Sequence, residues 1–98
     1  MLADTALTDD AVLLYPTFEA HGRADVMAIG QRFHQDMPGV QIVAASGIEH
    51  HHNWVRVAWC VVSADGSTGP DGQSVGELAA DGRLQRVIGF RNPLPAQP

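Results

Sequence analysis

The stretch Gln73-Ser-Val-Gly-Glu-Leu-Ala-Ala-Asp81-Gly82-Arg-Leu84-Gln-Arg-Val-Ile-Gly-Phe-Arg91 decides the fold. Two strand-forming runs flank Asp81-Gly82, a dipeptide that strongly signals a tight β-hairpin. The pattern predicts a strand over 73–80, a reversal, and a last strand over 84–91. Working back, Asn53 to Ser63 is dense in Val and Trp, residues that fill a pleated face well. Asp65-Gly66 and Gly69-Pro-Asp-Gly72 read as the turns between that strand and the next. Val40, Ile42, Ala44, Ser46 and Ile48 share one parity, so Val40–Ile48 is expected to be a half-buried strand.

Upstream the period changes. Val26, Ile29, Phe33 and Met37 recur at intervals of three and four, one stripe on a helix from about Arg23 to Asp36. Met37-Pro-Gly39 ends it, because proline disfavours helical backbone in the residue before it. Ala11-Val-Leu-Leu-Tyr15 predicts a short strand stopped by Pro16, with a break at His21-Gly22. Leu2, Ala3, Ala6 and Leu7 are spaced for a short helix at the start. Asn92 to Pro98 holds three prolines and reads as an extended tail. The expected architecture is α+β: one domain over 1–91, a tail over 92–98, and helices on one face of an antiparallel meander.

With 98 residues, 45% of them hydrophobic and 17% charged, the chain suits one globular domain with a modest core. Eleven acids against six arginines and no lysine give a net charge of −5. That balance argues against nucleic acid, whose binding needs a basic face to displace counterions. The lack of lysine removes a Schiff-base nucleophile and a phosphate-loop lysine. Cys60 is the single cysteine, which excludes an internal disulfide and a multi-cysteine zinc site. No apolar run approaches the ~20 residues of a membrane helix, and Met1-Leu-Ala-Asp-Thr lacks a signal-peptide pattern. A cytoplasmic protein with no membrane contact and no cofactor is expected.

Several residues carry candidate chemistry. In Glu49-His50-His51-His52, alternation places His50 and His52 on one face with Trp54 and Arg56, and His51 on the other with Asn53 and Val55. A His-x-His pair can chelate a metal but needs a third ligand, so no metal site is expected; a polar strand end is the plain alternative. A single histidine suits proton transfer near neutral pH. Arg56, mid-strand, faces solvent or holds a carboxylate or ligand oxygen. Trp54 and Trp59 have opposite parity, one indole to each face, as packing or as pocket wall. Tyr15, before Pro16, can point its phenol into a cavity or keep it wet. Cys60 reads as a small core residue, Asp9-Asp10 as capping or solvated acids, and glycines 66–76 as turns.

Leu7-Thr-Asp-Asp-Ala-Val-Leu-Leu-Tyr-Pro16, Gly22-Arg-Ala-Asp25, Met37-Pro-Gly39, Val55-Arg-Val-Ala-Trp59 and Asp81-Gly-Arg-Leu84 with Gly89-Phe90 occur in a familiar order. Together they resemble the nuclear-transport-factor-2-like (NTF2-like) superfamily, particularly its bacterial SnoaL-like, polyketide-cyclase-like branch. The resemblance implies a cone in which a curved antiparallel sheet wraps around helices, with a ligand pocket at the open end. Relatives often dimerise, and many bind small hydrophobic or polycyclic molecules. Some isomerise, cyclise, dehydrate or hydrolyse them by acid–base chemistry. In ketosteroid isomerases the general-base Asp stands before the proline of the first strand, where this chain has Tyr15. Their oxyanion-stabilising Asp aligns with Ser74. In limonene epoxide hydrolases an Arg-x-Asp and a last-strand Asp act together; Arg56 matches the Arg, while Ala58 and Gly89 replace the acids. The first helix of relatives is largely missing, so either the chain is shortened or a partner covers the exposed sheet.

The resulting expectation is a SnoaL-like domain that binds a small apolar molecule. As an enzyme it would be a cofactor-independent isomerase, cyclase or lyase. Tyr15 would be the hydrogen-bond donor, His52 the base, Arg56 the anion or carbonyl partner, and Trp54 and Ser74 pocket-lining residues. The alternative is a non-catalytic binding or dimerisation module. If Val55, Val57, Trp59 and Val61 line the cavity, Arg56 and His52 must face away, which weakens the enzyme reading. A homodimer through the sheet is expected from apolar residues on both faces of the Trp strand.

Overall fold

Strand-forming residues bracket one amphipathic helix along residues 6–97, which the computed structural model describes. The elements are β1 (Leu7–Tyr15), β2 (Phe18–His21), α1 (Arg23–Asp36), β3 (Gln41–Ala44), β4 (Glu49–His51), β5 (Trp54–Val62), β6 (Thr68–Leu78) and β7 (Leu84–Arg91). The strands form one seven-stranded sheet in the order β2-β1-β7-β6-β5-β3, and β4 also pairs with β5. The meander from β5 to β7 is antiparallel as expected. The whole sheet is mixed, however, because β1 lies parallel to β7.

The helix begins after Gly22, whose φ of 94° suits glycine and whose N–H donates to the Ala11 carbonyl at 2.8 Å. Asp25 in the first turn accepts the His21 N–H at 2.9 Å. Met37 closes the last turn onto Phe33 before Pro38 stops it. α1 packs on β1 and β2, and there the burial is deepest: Ala11 and Ala20 are fully buried, with Leu7 and Val87 nearly so. Leu13 pairs with Ala20, so Ala11, Leu13 and Tyr15 share the helix-bearing side of β1. We call that side the inner face.

Four elements differ from the sequence reading. β1 starts at Leu7 rather than Ala11, directly after Ala6, which is helical; Leu2 and Ala3 of the expected opening helix lie outside the described residues. Phe18–His21 is a strand, folded back by the two-residue turn Pro16-Thr17, with Tyr15 opposite Phe18. Val40–Ile48 is not one strand: β3 ends at Ala44, and β4 opens at Glu49 further along the same edge of β5. Gly69-Pro-Asp-Gly72 lies within β6. Proline is accommodated there because the β5–β6 register shifts between Cys60 and Val62, at a bulge.

Candidate functional site

The site is built on strand register. Val57 of β5 pairs with Ser74 of β6, and Ser74 with Gly89 of β7. Gly89 has no side chain, and a Cβ there would stand 2.0 Å from the Tyr15 ring. The phenol of β1 therefore lies across β7 and meets Ser74, hydroxyl to hydroxyl, at 2.8 Å. Phe18 stacks on the Tyr15 ring at a centroid distance of 5.0 Å. Trp59 shares the inner face with Val57, and its ring covers Gly72 as Tyr15 covers Gly89. The result is an aromatic and aliphatic floor with one polar pair at its centre.

Tyr15 and Ser74 thus meet, as two of the residues singled out in the sequence. An open cleft of about 410 Å³ runs along the β1–β2 hairpin past Leu14, Tyr15, Pro16, Phe18 and Glu19. The hydroxyl pair can offer one O–H donor to a ligand oxygen and lone pairs to a ligand O–H or N–H. Among the described residues no carboxylate, imidazole or guanidinium is hydrogen-bonded to it.

Arg56 and Trp54 stand on the opposite, outer face, since Val55, Val57, Trp59 and Val61 take the inner one. Arg56 donates through Nη2 to Glu49 Oε1, its register partner across the β4–β5 pair. A second cleft, of about 360 Å³, lies there between Ser46, Gly47, Glu49, Arg56, Ala58 and Gln73. His52 belongs to neither cleft. It occupies the turn between β4 and β5 with φ 53°, and its ring faces His51. That turn resets the histidine parity: His51 pairs with Trp54 on the outer face and His50 with Val55 on the inner face. Tyr15, His52 and Arg56 therefore occupy three separate places.

The sequence reading missed one contributor and left another as an alternative. Gly89 was taken only as a lost acid, although a glycine inside a strand signals a close approach by another group. Trp59, rather than Trp54, shares the face of Tyr15, and the odd parity of Val55, Val57 and Trp59 already tied those three together.

No family model and no curated protein matches the chain. Solved structures do. A SnoaL-like family protein from Agrobacterium tumefaciens, provisionally assigned as an isomerase, superposes with a TM-score of 0.87 at 27% identity, covering 94% of this chain and 79% of its own. An NTF2-like protein of unknown function from Exiguobacterium gives 0.71 at 19% identity, with 92% and 80% covered. A SnoaL-like protein from Jannaschia, provisionally assigned as a polyketide cyclase, gives 0.71 at 14%, with 93% and 70% covered. With its mixed sheet, inner-face helix and this likeness, the chain has the NTF2-like α+β fold and is similar to proteins of the SnoaL-like family.

Proposed function

We propose that this SnoaL-like domain binds a small, largely apolar molecule on the inner face and hydrogen-bonds one of its oxygens through Tyr15 and Ser74. The observation that carries this reading is the 2.8 Å hydroxyl pair set in an apolar floor of Phe18, Val57 and Trp59. A few placed polar groups among apolar walls are what orient a small ligand. Polycyclic ketones are the matching class, in keeping with the provisional polyketide cyclase assignment of structural neighbours. Binding is preferred over turnover because His52 and Arg56 stand away from the pair. The acid–base isomerase, cyclase or dehydratase reading would have to run on the two hydroxyls alone.

The test is titration with anthraquinone sulfonate, followed by quenching of Trp59 in a Trp54→Phe background. Tyr15→Phe and Ser74→Ala each remove one hydrogen bond, worth about 1 kcal/mol, and should weaken binding by roughly five- to tenfold. Unchanged affinity in both variants would overturn the reading.

The outer face is the proposed subunit interface of a homodimer. Four exposed large apolar residues share it: Leu14, Val43, Trp54 and Phe90. These apolar residues are interspersed with the Arg56–Glu49 and Arg86–Glu77 ion pairs, and the mixture of exposed large apolar residues with a polar surround suits an association surface.

A further inference from the structure

We propose that the β4–β5 turn is a two-imidazole chelate for copper(II) or nickel(II), formed by His51 and His52. Their Nδ1 atoms stand 3.1 Å apart, with the rings nearly perpendicular at 89°. Two imidazole nitrogens bound to one ion at ~2.0–2.1 Å stand about 2.9 Å apart at a square-planar corner and about 3.4 Å apart at a tetrahedral one. The observed separation falls between these, nearer the square corner. In the metal-free turn the two nitrogens share a hydrogen bond; with both rings protonated at Nε2 instead, small rotations about the broad Cβ–Cγ torsions aim both Nδ1 lone pairs at a shared point.

The backbone sets this approach. Neighbouring residues on a strand point to opposite faces, so two adjacent histidines there cannot chelate one ion. His51 is the last residue of β4, and His52 is turned out of the strand by its left-handed φ of 53°. Non-glycine residues seldom adopt that region. The turn thus holds His52 in an uncommon conformation that brings it against His51.

Among the described residues no group of three or more His, Cys, Asp and Glu side chains is placed to hold a metal. The turn therefore supplies two ligands and leaves the other positions to water. That ligand count disfavours a structural zinc site, which takes four protein ligands. It suits copper(II) and nickel(II), which bind imidazole more tightly than the earlier divalent metals and accept tetragonal geometry. His50 is excluded from the chelate, because its pairing with Val55 puts it on the other face. The pair is thus His51 with His52, not the His50-x-His52 alternation visible in the sequence.

Isothermal titration of the full chain with nickel(II) and with copper(II) tests this, together with tryptophan fluorescence. One-to-one binding is expected. His51→Gln and His52→Asn should each weaken it at least about tenfold; asparagine keeps the tolerance for left-handed backbone. His50→Gln should change it less than twofold. Both ions should quench fluorescence through Trp54, the cross-strand partner of His51, and Trp54→Phe should remove the quenching while leaving the calorimetric affinity in place. The proposal is overturned by absence of saturable binding, by equal losses in the His50 and His51 variants, or by quenching that survives Trp54→Phe.

Discussion

A methyl group on residue 89 would stand 2.0 Å from Cε2 and 2.2 Å from Cδ2 of Tyr15, so the phenol ring occupies the volume that any side chain there would need. Gly89→Ala should therefore cost about 1–3 kcal/mol, the usual range for overpacking, and should break the bond to Ser74. Urea unfolding measures it, and a double-mutant cycle assigns it: in a Tyr15→Ala background the same substitution should cost almost nothing. Equal costs in both backgrounds would mean that the ring is not what glycine accommodates. Tyr15 and Ser74 were singled out through the family resemblance, at the places of the two acids of ketosteroid isomerases, and it is the strand register that brings their hydroxyls together. His52 was not legible, because its face depends on a turn that strand alternation cannot anticipate. Arg56 is an intermediate case: its strand was evident, but which side of that strand faces the helix is settled only by long-range pairing.

At the scale of elements, the β6–β7 reversal is stabilised by its own acid. Asp81 accepts the Arg83 backbone N–H at 3.0 Å and the Arg83 Nε at 2.8 Å. The backbone N–H first, and the guanidinium after it, hold the Asp81 carboxyl below its ordinary value of 3.8. Asp65 is lowered too, chiefly by the Ser67 hydroxyl and then by the Ser67 N–H. A carboxyl with a depressed folded pKa adds stability that is fully present above its unfolded pKa and is lost as pH falls through the folded value. The double variant Asp65→Asn/Asp81→Asn should thus unfold at lower urea than the parent at pH 7. The gap should shrink as the pH drops below about 4, where the parent carboxylates take up protons. A gap that stays constant down to acid pH would refute this account. Asp81-Gly82 was the clearest local signal in the chain, and β7 has the bounds that it predicted. Gly69-Pro-Asp-Gly72 misled for a comparable reason: turn residues also serve at bulges, and only the pairing with β5 distinguishes the two.

For the whole molecule, the area arithmetic points outward. The chain exposes 6867 Å², whereas a compact monomer of 10.5 kDa exposes about 5,400 Å². Its radius of gyration is 14.0 Å, against about 12.6 Å for a domain of this length. Part of the excess belongs to the extended, exposed residues 92–97, and a standard interface takes roughly 800 Å² from each partner. Light scattering at micromolar concentration should accordingly return twice the chain mass, and Trp54→Glu/Phe90→Asp should halve it; a parent monomer would sink the proposed interface. The class of fold was legible from the order of short motifs. The mixed sheet was not, because nothing local in Leu7–Tyr15 reveals a parallel partner some seventy residues away. That pairing also bears on how the chain is made. Synthesis runs from the N-terminus, and β1 needs β7, so the first strand emerges long before its partner exists. Residues 7–15 must wait, with one sheet edge unsatisfied, until residues 84–91 have been made and close it. A strand made late completes the pairing of one made early.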